Sequence, residues 1–189
     1  MKVYLAGPEV FLSNAKEVLA QKAALARAAG FTPLAPGDLE IPPTNSKWER
    51  GLAISAIDEK LMLASDLIIA NLTPFRGISA DVGTVFELGF MCALGRPVYA
   101  YTNTARSFFE RTSQDYYQGN IMERPGGGLS GSDGLSIEDF HMADNLMLDG
   151  GITSRGGAFI RKNVPEEALL TDLSGFVECL DLAAKRLMA

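Results

Sequence analysis

Leu67-Ile68-Ile69-Ala70-Asn71 is a run with no polar side chain until its last residue, and it sets the architecture open to this chain. A strand that is apolar at consecutive positions has to be covered on both faces, and helices packed on a parallel sheet provide that cover. The neighbouring segments fit. Residues 2–6, Lys-Val-Tyr-Leu-Ala, stop at Gly7-Pro8; Phe31 to Leu34 is a weaker run; Pro97 to Tyr101 is another. Helical patterns separate them. The first runs from about Ser13 to Ala29 and ends at Gly30. The second opens with the capping-box spacing Ser46-Lys-Trp-Glu49 and reaches about Ala64. The third runs from Ala80 to Leu94 and is stopped by Gly95-Arg96. This alternation predicts an α/β fold, a doubly wound parallel sheet of about five strands flanked by helices, which binds ligands beyond the carboxyl ends of its strands.

Past Tyr101 the pattern weakens. Residues 103–135, with a Gly-rich patch from Pro125 to Gly134, read as an insertion or lid on a single domain spanning 1–189. The Gly126-Gly127-Gly128 stretch reads as a flexible segment. A helix-like segment follows Ser136 and contains His141, Asp144 and Asn145. Gly150-Gly151 and Gly156-Gly157 bracket a turn region, and Pro165 opens a final amphipathic helix.

Charge and composition exclude several functions. A net charge of −6 argues against long nucleic acid, whose phosphates require a basic face, but leaves a small neutral ligand open. One histidine, and two cysteines without a CxxC spacing, cannot build a zinc site, so neither metal nor cofactor is expected. Cys92 and Cys179 both lie in apolar helical stretches and read as buried, reduced thiols. The N-terminus lacks the long apolar region of a signal peptide, and no stretch approaches the ~20 apolar residues of a membrane span. A soluble, cytoplasmic protein is the expectation.

The stretch from Arg76 to Gly89 carries the most chemistry. Asp81 falls at the first turn of a helix, where the helix dipole favours an anion, and Glu87 lies one turn beyond Gly83. A glycine four residues before Glu87 leaves space on the face from which that side chain projects. The plainer reading is that Gly83 and Gly89 serve tight packing, with Glu87 at a solvent edge. Asp66 precedes an apolar strand, the end opposite the usual ligand edge, and spacing alone makes it a turn residue. Asn71 is at the favoured carboxyl end. Tyr4 reads as a core aromatic with a satisfied hydroxyl. Gly7 sits where a strand turns into a helix, without a GxGxxG or Walker pattern around it. His141 has no Ser or Cys partner in any motif and reads as a structural or surface residue.

Together, Val3-Tyr4-Leu5-Ala6-Gly7-Pro8, Ser65-Asp66 before a strand, and Asp81-Val-Gly-Thr-Val-Phe-Glu87-Leu-Gly89 resemble the nucleoside 2-deoxyribosyltransferase family. Asp144-Asn145-Leu146-Met147 is similar to that family's C-terminal Asn-containing motif. The resemblance implies a flavodoxin-like fold and exchange of the base of a 2′-deoxynucleoside with a free purine or pyrimidine. It implies Glu87 as nucleophile, Tyr4 beside it, and Asp66 and Asp81 as the acids that handle the base. Gly7 and Gly83 stand as candidate substrate-binding residues, with Asn145, which the resemblance assigns to completing a neighbouring subunit's site. The active form is then a homodimer or higher homo-oligomer.

The chain departs from the family's compact members between Tyr101 and His141. Relatives that hydrolyse nucleoside monophosphates carry a Ser-rich phosphate loop after the first strand. Here Gly7-Pro8-Glu9-Val10-Phe11 takes its place, and Glu9 is expected to repel a phosphate. Two alternatives stand beside transfer: an N-glycoside hydrolase on the same fold, acting on a nucleoside or nucleotide, and a nucleoside-binding module without catalysis. Gly83-Thr84 to Glu87 is also similar to phosphoribohydrolases of the lysine-decarboxylase-like family, whose preceding Pro-Gly-Gly is absent here.

Overall fold

The computed structural model describes residues 1–188. Five parallel strands form the central sheet: β1 (Lys2–Ala6), β2 (Thr32–Leu34), β3 (Leu67–Asn71), β4 (Val98–Thr102) and, after an intervening subdomain, β8 (Phe159–Arg161). Their spatial order is β2-β1-β3-β4-β8, the flavodoxin-like order, with the topological switch between β1 and β3. Pairing sets Tyr4 opposite Ile68, and Ile69 opposite Tyr99.

The alternation along each strand divides the core into two layers. Tyr4, Ala6, Ile68, Ala70, Val98 and Ala100 face α2 (Lys47–Leu63), α3 (Val82–Ala93) and α5 (Leu146–Ser154). Val3, Leu5, Leu67, Ile69, Tyr99 and Tyr101 face α1 (Ala15–Ala28) and α6 (Ser174–Leu187). Residues 67–70 are buried without exception, because both layers need them. At the end of α1, Gly30 adopts φ +89° so that the Phe31 N–H reaches back to Ala26 O at 2.9 Å. At the start of α2, Ser46 Oγ accepts from Glu49 N–H (3.1 Å). The Glu49 carboxylate accepts from Asn45 rather than from the cap itself, so the reciprocal bond is shifted by one residue.

Downstream of β4 the structure adds a small folded unit and departs from the sequence expectation in three places. Segment 103–135 is folded: α4 (Phe108–Arg111) continues into a π-turn, and β5 (Ile121–Glu123), β6 (Leu129–Gly131) and β7 (Ser136–Ile137) form a small antiparallel sheet. The three glycines 126–128 make the β5–β6 turn, all with positive φ. The segment after Ser136 is not a helix. Asn145 caps α5 through a bond from Met147 N–H to its Oδ1, so the helix begins only at Leu146. Gly150-Gly151 lie inside α5 rather than in a turn, and Gly151 passes close to Cys92 Sγ of α3. The last helix begins at Ser174, not Pro165, because Asn103 Nδ2 donates to the carbonyls of Leu169 and Asp172 and holds the intervening chain in a turn. Cys92 and Cys179 are both free and buried. Among the described residues no helix is long and apolar enough to cross a membrane.

Candidate active site

The site gathers where β1, α2 and α3 meet. Tyr4 is fully buried on β1, and its hydroxyl donates to Glu87 Oε1 at 2.6 Å. This bond leaves Oε2 of Glu87 as the free oxygen. Glu87 stands one turn beyond Gly83, and both line a cleft of about 240 Å³ together with Ile54, Asp58 and Phe86. A Cβ on Gly83 would touch only Asp81 Oδ2, at 3.1 Å, so that face of α3 stays open beside Glu87.

Asp81 is the N-cap of α3 rather than a first-turn residue. Its Oδ2 accepts from Thr84 N–H at 2.9 Å and from Thr84 Oγ1 at 3.1 Å. Burial pushes the Glu87 carboxyl up to about 7; the Tyr4 hydrogen bond pulls it down, the charges of Asp58 and Asp81 push it up, and Lys22 lowers it. Burial, with the neighbouring Glu87 charge, holds the Tyr4 hydroxyl far above its ordinary range, so Tyr4 is a donor to Glu87 and never a competing anion.

Asp58, which sequence reasoning passed over, faces the same cleft. Burial raises its carboxyl above the ordinary value, and its buried Oδ1 has no hydrogen-bond partner in the protein. Such an atom is costly unless something else supplies a donor. Asp58 and Ile54 also line a second, apolar cleft of about 280 Å³ with Val10, Leu39, Ile41 and Ile57. The two clefts therefore meet at Asp58, with a carboxylate on one side and an apolar slot on the other. A signal for Asp58 existed in the sequence. Ile54, Ile57, Asp58, Leu61 and Met62 share one helical stripe, and an acid on that stripe has to be buried.

Asp66 does not join this group. It stands at the amino end of β3, and its Oδ2 accepts from Lys2 N–H at 2.7 Å. That is the end opposite the one where Gly7, Asn71 and Asp81 lie. Asp66, expected beside Glu87, is not among the residues that line the cleft, whereas Asp58 is.

Gly7 serves the chain rather than open ligand space. With φ +156°, a Cβ there would fall 2.0 Å from Glu9 Oε2 and 2.9 Å from Asn71 Cβ. Glu9 itself is fully buried. Its Oε1 accepts from Lys22 Nζ (2.8 Å), Tyr101 hydroxyl (2.9 Å) and Asn71 Nδ2 (3.1 Å). Glu9 is thus not a free charge repelling phosphate from outside. It fills the polar space beyond β1 and occupies the donors there. Lys22 is also buried, on the Val18–Lys22–Ala26 face of α1.

Asn145 caps α5, and its Nδ2 donates to the Glu138 carboxylate at 3.2 Å; within one chain it is not among the residues lining the Glu87 cleft. His141 is almost fully exposed, with φ +55°.

The model of the nucleoside 2-deoxyribosyltransferase family matches residues 3–147, which include Tyr4, Asp58, Asp81, Glu87 and Asn145. The chain belongs to that family. The nucleoside 2-deoxyribosyltransferase match extends to whole proteins. A 2-desoxiribosyltransferase of Leishmania mexicana is 30% identical, with a TM-score of 0.60 over 94% of this chain and 97% of its own. A Schizosaccharomyces pombe protein described as uncharacterized is 31% identical over 97% of this chain and 89% of its own length. The CMP N-glycosidase BcmB of Clostridium botulinum shares the fold at 13% identity, with a TM-score of 0.51 over 96% of this chain and 99% of its own.

Proposed function

We propose that this nucleoside 2-deoxyribosyltransferase family member acts on N-glycosidic bonds by carrying a 2-deoxyribosyl group on Glu87 from one base to another. The observation that supports the reading most is the Tyr4–Glu87 hydrogen bond of 2.6 Å, set in a cleft that Asp58 shares. Tyr4 fixes one oxygen of Glu87 and stabilises its anion, which leaves Oε2 to attack C1′. As the C1′–N bond breaks, its electron pair passes to the base, and a proton from Asp58 neutralises the departing ring. The transition state is oxocarbenium-like, and the anionic carboxylate stabilises it before the ester bond closes. A ring nitrogen of the second base then attacks C1′. The ester C–O bond breaks and its electron pair returns to Glu87, so two displacements retain configuration. Asp58 recovers the proton from the incoming base.

In this reading the sugar lies between Glu87 and Gly83, and the base enters the apolar slot beyond Asp58. Two carboxyl groups on one cleft do not ionise independently; burial raises both and Glu87 the more, so the form with its proton on Asp58 and its charge on Glu87 is the minor singly protonated form, and it is the one that reacts. Glu9 and its donors fill the space beyond β1, which supports a nucleoside over a nucleotide. The reading takes residues 1–189 as one catalytic domain and assigns exclusion of water from the ester to segment 103–135 or to a second subunit that lends Asn145.

The test is chromatographic. The protein is incubated with a deoxynucleoside, alone and with a different free base. A new deoxynucleoside that forms only with the acceptor is expected. Free base and deoxyribose at one rate in both tubes make the protein a hydrolase, and an unchanged deoxynucleoside in both overturns the reading.

A further inference from the structure

We infer that Arg111 and Asp144 act as one positioning unit, holding Asp81 and Asn145 in register from behind the site. The inference rests on the transferase reading above. Both side chains are buried, at 4% and 1% exposure, and they pair at 3.1 Å. Their other bonds go to three separate loops. Arg111 Nε donates to Ile78 O (2.7 Å) in the β3–α3 loop, one Nη to Arg106 O (2.6 Å) just before α4, and the other to Ala143 O (2.8 Å) just before α5. Asp144 Oδ2 accepts from Ala80 N–H (3.1 Å), and Oδ1 accepts from Asn145 N–H (2.8 Å). Asp149 braces the same loop by accepting from the N–H groups of Ala143 and Asp144.

These contacts fall on the backbone immediately before two residues that matter. Ala80 precedes Asp81, which caps α3 and so sets the height of Glu87 along that helix. Asn145 donates its own N–H to Asp144 Oδ1. A buried ion pair is weak evidence for stability, since apolar residues of similar volume often serve the fold as well. What apolar residues cannot supply is this set of directed bonds to Ile78, Ala80, Ala143 and Asn145. The pair also gives α4, in the segment that reads as an insertion, a defined task at the carboxyl edge of the sheet.

The test uses Asp144→Asn, Arg111→Met, Arg111→Lys and the Arg111→Met/Asp144→Asn double variant in the base-exchange assay, with circular dichroism giving the folded fraction. Asp144→Asn keeps the side-chain volume and an acceptor for Ala80, so its fold is the least at risk. Turnover per folded molecule is expected to fall about 10- to 100-fold in Asp144→Asn and Arg111→Met, the scale on which small misplacements act. KM should change less than kcat. Arg111→Lys should recover part of the loss, and the double variant should be no worse than the poorer single, because the two residues act as one. Unchanged kcat per folded molecule, with only a lower melting temperature, overturns the inference. So do losses that multiply in the double variant, and so does unfolding of every variant at assay temperature, since the pair then only supports the fold. Wild-type protein in the same assay separates the two claims: no wild-type turnover counts against the transferase reading, not against the ion pair.

Discussion

At the scale of single residues, the site depends on how one carboxyl group is held. Burial keeps Glu87 near 7, well above its ordinary value of 4.5, so folding favours its protonated form. The stability this represents is full below the ordinary value and is lost as pH rises through about 7. A displacement of that size corresponds to about 3 kcal/mol as an upper bound. Glu87→Gln should therefore melt higher than wild type at pH 8 and gain little at pH 4, while losing turnover by at least about 10³-fold. Thermal melts at the two pH values, with an exchange assay, check this. Tyr4→Phe removes the bond that lowers Glu87. Its ascending limb of kcat/KM against pH should move upward, and kcat should fall about 10- to 100-fold. Asp81→Asn acts in the opposite direction: it removes a charge that raises Glu87 but keeps an N-cap acceptor, so the limb should move downward with little change in melting temperature. Opposite movements of the two profiles are the check. Asp81 and Glu87 stand out by their spacing, whereas spacing makes Tyr4 a core aromatic and only the family resemblance sets it beside Glu87. Asp58, and Lys22 as the buried partner of Glu9, were not singled out, although Asp58 and Lys22 lie on apolar helical stripes. A stripe reports that a polar residue is buried, but not which partner or cleft receives it.

At the scale of elements, legibility followed local signal. β1, β3 and α1 to α3 were readable because apolar runs, caps and Gly stops agree over five or more residues. The strand β8 has only three residues, half-buried at the sheet edge, and no alternation long enough to detect. The start of α5 was misread because Asp144 and Asn145 look helical in composition, whereas Asn145 spends its side chain on the cap. The capping box that opens α4, Ser107 with Glu110, was equally visible in sequence and was passed over within a stretch that looked irregular. The cap at Ser46 is remote from the cleft lining, so Ser46→Ala should cost about 1 kcal/mol of stability and leave kcat unchanged. A denaturant titration beside the exchange assay measures both.

At the scale of the whole molecule, the sheet order places the switch between β1 and β3, with Glu9 and Asn71 filling the space beyond it. The Glu87 cleft opens instead between α2 and α3. Those helices and neighbouring α5 also carry exposed apolar side chains: Trp48 and Leu52, Val82 and Phe86, and Met147. Apolar side chains this exposed, on helices packed along one face of the sheet, are the kind of surface that association covers. We expect a homodimer or larger homo-oligomer by sedimentation, with Val82→Arg shifting it toward monomer and reducing turnover, since Asn145 then no longer reaches a partner's site. A monomeric wild-type protein with full turnover contradicts that expectation. Capture of the sugar by Glu87 is read by mass spectrometry of the intact protein and of its peptides. Wild-type protein quenched after mixing with a deoxynucleoside and no acceptor should gain the mass of one deoxyribosyl group on the peptide containing Glu87. Addition of an acceptor base should remove it, and Glu87→Gln should never show it. An adduct on another residue, or full turnover by Glu87→Gln, contradicts the account.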